Sequence, residues 1–116
     1  MQGMTVLIHA EIHGLAGRAG ELRTLLHDHA AGLSSADGSL GAAAYEPVDA
    51  DAGEFVLQTH WRDDAAMQAH YATPEYTHYI DGVGELLARP SDVQIHYVER
   101  SVRATADLSQ DPTRQG

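Results

Sequence analysis

Glu54-Phe-Val-Leu-Gln-Thr-His-Trp-Arg-Asp-Asp-Ala-Ala-Met-Gln-Ala-His-Tyr-Ala-Thr-Pro-Glu-Tyr-Thr-His-Tyr79 is the stretch from which the fold is read, because it holds a strand, a corner and the start of two helices in one run. Phe55, Leu57, Thr59 and Trp61 fall on one face and Val56, Gln58, His60 and Arg62 on the other, the period-two pattern of a half-buried strand. Asp63 stops that strand. An aspartate followed by Asp64, Ala65, Ala66, Met67, Gln68 and Ala69 is an N-cap signal, with carboxylates placed where the helix dipole favours negative charge. The helix is short because Thr73-Pro74 breaks it, and Pro74 can open the next one. Ala66, Met67 and His70 are then spaced to share its inward side, which puts one polar ring on an otherwise apolar face.

Outward from this run the order of elements is regular. On the N-terminal side Val6, Ile8, Ala10 and Ile12 alternate against Leu7, His9, Glu11 and His13 in a first strand from Met4 to His13, ended by Gly14. From Arg18 to about Leu33 the residues Leu22, Leu25, Leu26, His29 and Leu33 recur at helical spacing. Ser39 to Pro47 is an alanine-rich strand, and the polar turn Asp49-Ala-Asp-Ala-Gly53 joins it to Phe55 as a hairpin. On the C-terminal side Tyr76, Tyr79, Ile80, Val83, Leu86 and Leu87 form a second helical stripe, stopped by Arg89-Pro90. Asp92 to Ser101 is a last strand, with Val93, Ile95 and Tyr97 alternating against Gln94, His96 and Val98. The order β-α-β-β-α-β is that of an α+β ferredoxin-like unit, an antiparallel sheet with helices on one face. One domain is expected over residues 4–101, with residues 102–116 a flexible tail or dimer arm.

The other sheet face then needs a cover. Leu7, Tyr45, Val56 and Val98 are too apolar to leave wholly wet, and His9, His60 and His96 are too polar for a sealed core, so two sheets facing each other across a two-fold axis are expected. Those three histidines could instead hold zinc or iron. Polar side chains in a dimer interface explain them without a metal, and that is the preferred reading.

Composition excludes several classes of function. The chain has 116 residues with seven basic side chains, all arginine, against seventeen acidic ones, a formal charge of −10. Such a surface does not suit nucleic acid or an anionic membrane, whose binding rests on basic side chains. No apolar run approaches the ~20 residues needed to span a bilayer, and the N-terminus lacks the charged region of a signal peptide. The absence of cysteine removes disulfides, thiolate metal sites and cysteine nucleophiles, and points to the cytoplasm.

Three motifs resemble the antibiotic biosynthesis monooxygenase family of small dimeric α+β barrels. Ala16-Gly-Arg-Ala-Gly-Glu-Leu22 is similar to the family's first-helix start, and Gly38-x-Leu40 with Tyr45 to its second strand. Trp61-x-Asp63-x-x-Ala66-x-x-x-His70-x-x-x-Pro74-x-Tyr76 is the most specific of the three. Thr59 and Glu75 stand where the family usually has glutamate and histidine, and Leu57 where its anthrone oxygenases have asparagine.

The resemblance implies a cofactor-free homodimeric monooxygenase acting with dioxygen on an electron-rich aromatic such as a quinol, an anthrone or a polyketide intermediate. A deprotonated phenol can itself give an electron to dioxygen, so the protein need only bind the ring, remove the proton and stabilise the anion. His70 is the expected base, with Trp61, Tyr45, Tyr76 and Tyr79 as walls of the substrate site or donors to it. A core role competes with this for His70, Trp61, Tyr76 and Tyr79. The alternative function is a non-oxidative isomerase or cyclase, or a small-ligand-binding protein on the same fold.

Overall fold

The computed structural model describes residues 4–105. Its elements are β1 (Thr5–His13), α1 (Ala19–Leu33), β2 (Ser39–Tyr45), β3 (Glu54–Trp61), α2 (Asp64–Tyr71), α3 (Pro74–Gly84) and β4 (Asp92–Val98). The four strands form one antiparallel sheet in the order β2-β3-β1-β4. This is the ferredoxin-like arrangement expected from the element order, with the second helical segment broken into α2 and α3.

Side-chain parity sets the core. On β3, Phe55, Leu57, Thr59 and Trp61 are buried and their neighbours are not, as the alternation requires. Cross-strand pairing puts Ile12 beside Phe55, Ile8 beside Thr59 and Val6 beside Trp61 on that same face. α1 covers one end through Leu22, Leu26 and Ala30, together with Val83 and Leu86 from the segment around the end of α3. Ala66 and Met67 of α2 cover the other end, over Val6, Ile8 and Trp61. Fully burying side chains of this size contributes roughly 1.5–3 kcal/mol each before the ordering entropy is set against it. The alanines of β2 also have a use: Ala42 and Ala44 face the helices and pack against the core.

The capping signals hold. The Asp63 carboxylate accepts from the backbone N–H of Ala66 at 2.8 Å, and the Thr73 hydroxyl accepts from that of Tyr76 at 3.2 Å with Pro74 in the first turn.

The largest differences from the expected boundaries are at three C-terminal ends. β2 ends at Tyr45 rather than Pro47, and β4 ends at Val98 rather than Ser101. α3 ends at Gly84, before the Arg89-Pro90 stop, and Leu86 is buried from a turn in which its N–H bonds to the Val83 carbonyl. The backbone here is drawn off the helix axis because Leu15 N–H takes the Leu86 carbonyl and Ala88 N–H takes that of His13. Most of the expected tail, residues 106–116, lies outside the described residues.

Candidate active site

The corner after β3 brings His70 against Trp61. Asp63 caps α2, α2 lays Met67 into the core, and one turn later His70 reaches the indole, with ring centroids 4.9 Å apart and planes inclined by 26°. Trp61 is only 1 % exposed. Its indole N–H donates to Thr59 Oγ1 at 3.3 Å, so Trp61 is a wall of the site and its N–H is already engaged. That bond gives a reason for threonine at position 59, which is 8 % exposed and polar.

Around this pair lies a cavity of about 230 Å³ between the sheet and the helices. Ile8, Ile12 and Leu57 form its floor, and His70, Tyr71, Tyr76, Tyr79 and Val83 form its roof. Tyr76 stands edge-on to His70 at 5.4 Å and Tyr71 packs on Tyr76 at 4.8 Å. His29 of α1 closes one side, its ring flat on Tyr79 at 3.6 Å and 7°, and 6.1 Å from the ring of His70. His29, Leu33 and His70 also line an outer cleft of about 420 Å³ with Asp28, Thr73 and Glu75, so the two imidazoles stand at the passage between cavity and surface.

Four of the expected site residues therefore meet: His70, Trp61, Tyr76 and Tyr79 line one cavity. Tyr45 does not join them. It pairs with Val56 on the sheet face away from the helices and is 53 % exposed, because its parity on β2 is opposite to that of Ala42 and Ala44. His29 and Tyr71 were not singled out from sequence. His29 sat on the α1 stripe as though it were one more apolar residue, and the signal was the same as for His70, a polar ring on an apolar helix face.

The histidines at the outer sheet face do not share one height. His60 and His96 both pair with Leu7 from opposite sides, and His9 is the one displaced along β1, next to Gln58 and Gln94. Among the described residues no group of three His, Asp or Glu side chains is placed to hold a metal ion.

Electrostatics separate the two cavity histidines. Burial, and secondly the neighbouring His70, pushes His29 down to about 4. Burial also lowers His70, but the charge of Glu75 works against it. Burial raises the phenols of Tyr71, Tyr76 and Tyr79, so all three stay protonated near neutrality. At pH 7 the cavity is thus lined by two neutral imidazoles and three neutral phenols, in an apolar shell. This can take an uncharged aromatic molecule and move its proton.

The model of the antibiotic biosynthesis monooxygenase family matches residues 5–82. The chain belongs to this family. "Putative monooxygenase Rv0793" of Mycobacterium tuberculosis is 38 % identical over 74 residues, which are 64 % of this chain and 71 % of that protein. The solved structure of Rv0793 superposes with a TM-score of 0.77 at 29 % identity, covering 85 % of this chain and 99 % of that one. A Deinococcus radiodurans structure described as a "putative antibiotic biosynthesis monooxygenase" gives 0.79 at 26 % identity, over 87 % of this chain and 99 % of its own. The family match contains the Trp61–Tyr76 run and both histidines of the cavity. No helix among the described residues is long and apolar enough to cross a membrane.

Proposed function

We propose that this chain is a monooxygenase that oxidises a small phenol or hydroquinone with dioxygen, with His70 as the base. The observation that carries the reading is a neutral imidazole held against an indole in a cavity lined otherwise mainly by apolar side chains, protonated phenols and the second imidazole, His29.

The chemistry needs few parts. His70 takes the phenol proton. The phenolate passes one electron to dioxygen, and the phenoxyl radical and superoxide combine to form a carbon–oxygen bond at a ring carbon that carries hydrogen, ortho or para to the phenolate oxygen in a phenol and ortho to it in a hydroquinone. The peroxide recovers the proton from His70, the O–O bond breaks, and the same carbon loses its hydrogen as a proton. The products are a quinone carrying one oxygen atom and a water carrying the other. All electrons come from the substrate, so the reading asks for no added cofactor. General-base catalysis contributes about 10²- to 10⁴-fold to such a step.

Size favours quinols of one or two rings over larger anthrones. An apolar cavity of roughly 150 Å³ holds benzene, and this one is about 230 Å³. Asp28 and Glu75 at the outer cleft disfavour anionic substrates.

The working unit in this reading is a homodimer. Tyr45, Leu7 and Val56 lie on one sheet face with His9, His60 and His96, and β4 is exposed almost along its length. A second copy would cover that face. Light scattering at micromolar concentration tests this, and a monomer contradicts it.

Oxygen uptake with simple one- and two-ring hydroquinones, combined with ¹⁸O₂ labelling, tests the reaction. One labelled atom in the product and one in water is the expected result. Substrate turnover without oxygen consumption contradicts it and favours the isomerase or cyclase alternative.

A further inference from the structure

We propose that His29 is the hydrogen-bond donor to the substrate oxygen, so that one phenolate oxygen is held between the rings of His29 on α1 and His70 on α2. This rests on the phenol reading of the cavity.

The geometry supports a shared oxygen. The ring centroids are 6.1 Å apart and the planes are inclined by 40°. An oxygen at a hydrogen-bond distance of ~2.9 Å from one nitrogen of each ring lies about 4 Å from each centroid. Two such lengths close on 6.1 Å with an angle of roughly 100° at the oxygen, which suits two donors on one phenolate. The imidazoles that bond to protein groups among the described residues are His9, with Gln58, and His13, with Glu54 and Asp92. The nitrogens of His29 and His70 are left for the occupant of the cavity.

His29 is also held still. Its stack on Tyr79, at 3.6 Å and 7°, fixes the ring plane, and Tyr79 is itself in the cavity wall. The same ring borders the inner cavity and two outer clefts, one along α1 and α3 and one toward Thr73 and Glu75. A substrate would therefore lie with its ring inward, over Ile12 and Leu57, and its hydroxyl at the passage between the histidines.

The two rings have different chemistry. The titratable groups around them are Tyr71 of α2, Tyr76 and Tyr79 from α3, Asp28 on the helix of His29 itself, Glu75 at the start of α3, and Glu21 and His78 in the cleft along α1 and α3. Burial depresses His29 to about 4, so at neutral pH it keeps one N–H and does not compete for the phenol proton. His70 is depressed by burial and partly restored by Glu75, which suits a group that must accept that proton. One ring takes the proton and the other stabilises the anion left behind.

The test uses 4-nitrophenol, whose absorption reports ionisation, and nitrobenzene, the same ring without the hydroxyl, both under nitrogen. The wild-type protein is expected to bind 4-nitrophenol as the phenolate and more tightly than nitrobenzene. His29→Phe keeps the stack on Tyr79 and loses the donor. It should weaken nitrophenolate binding by about 10- to 100-fold and raise the pH at which the bound phenol ionises, with nitrobenzene binding changed less than ~2-fold. His29→Gln keeps an N–H and should retain more of the preference than His29→Met, and this pair decides the matter if His29→Phe does not fold. A His29→Phe protein that binds nitrophenolate as tightly as wild type overturns the proposal, and so does a wild-type protein with no preference for the phenol. Because nothing turns over in this experiment, phenolate capture that depends on His29 in a protein without oxygen uptake supports the donor role while contradicting the oxygenase reading.

Discussion

The imidazole of His70 lies over the indole of Trp61 at 4.9 Å, and the indole N–H is turned away from it toward Thr59. Trp61 thus offers its flat face to the cavity and spends its polar edge inside the protein. Trp61→Phe should leave the Thr59 hydroxyl without its donor and open space beneath His70. A loss of about 1–3 kcal/mol is expected, with a higher KM and a smaller change in kcat. Thermal melting and steady-state kinetics check it, and an unchanged KM in a destabilised protein would reduce Trp61 to a core residue.

Glu75 tunes the imidazole proposed as the base. Its charge opposes the lowering of His70 by burial, so Glu75→Gln should move the acid limb of the kcat/KM profile to lower pH. A limb that stays in place, or moves up, would show that the titrating group is not His70.

Two histidines set opposite limits on stability. His13 is 4 % exposed, and its ring nitrogens face Glu54 at 2.6 Å and Asp92 at 2.8 Å. The hydrogen bond with Asp92, then that with Glu54, raises its pKa, against burial and the charge of Arg89. Its contribution is fully present below the unfolded value of ~6.5 and is lost as pH rises through the raised folded value. His29 works in the other sense: with its folded value near 4, its contribution is present above ~6.5 and is lost as pH falls toward 4. Melting curves from pH 4 to 9 should show the alkaline decline reduced in His13→Leu and the acid decline reduced in His29→Phe. His13→Leu should also lower stability by about 1–3 kcal/mol below pH 6.

Gly38 is a glycine for two reasons. Its φ is +79°, and a Cβ there would run into the Cβ of Ala66 at the start of α2. Its carbonyl also accepts from Arg62 N–H at 2.8 Å, at the corner that launches α2. Gly38→Ala should cost on the order of 1–3 kcal/mol and weaken activity by displacing α2. Urea unfolding measures the first, and a stability within ~0.5 kcal/mol of wild type would remove the explanation.

The sheet and its helices were legible because local signals agree with the fold: the alternation through Phe55 and Trp61, the Asp63 cap and the Thr73-Pro74 break each act within a few residues. His70, Trp61, Tyr76 and Tyr79 were legible for the same reason, since they lie in one run. His29 carried the same local signal as His70, but its place in the cavity is set by its stack on Tyr79 of α3, a tertiary relation that no local period encodes. Tyr45 stands apart from the other four: strand alternation already put it on the outer sheet face, the motif alone drew it toward the site, and its pairing with Val56 keeps it outward. His13 escaped for a similar reason: Glu54 and Asp92 reach it only through strand pairing, from far along the chain.

The base itself is tested by His70→Ala, with turnover per folded molecule and melting temperature measured on one preparation. A fall in kcat of about 10²- to 10⁴-fold, with the acid limb of the profile lost and part of the rate restored by added imidazole, is expected if His70 takes the proton. A folded His70→Ala protein that consumes oxygen with a hydroquinone at the wild-type rate contradicts it.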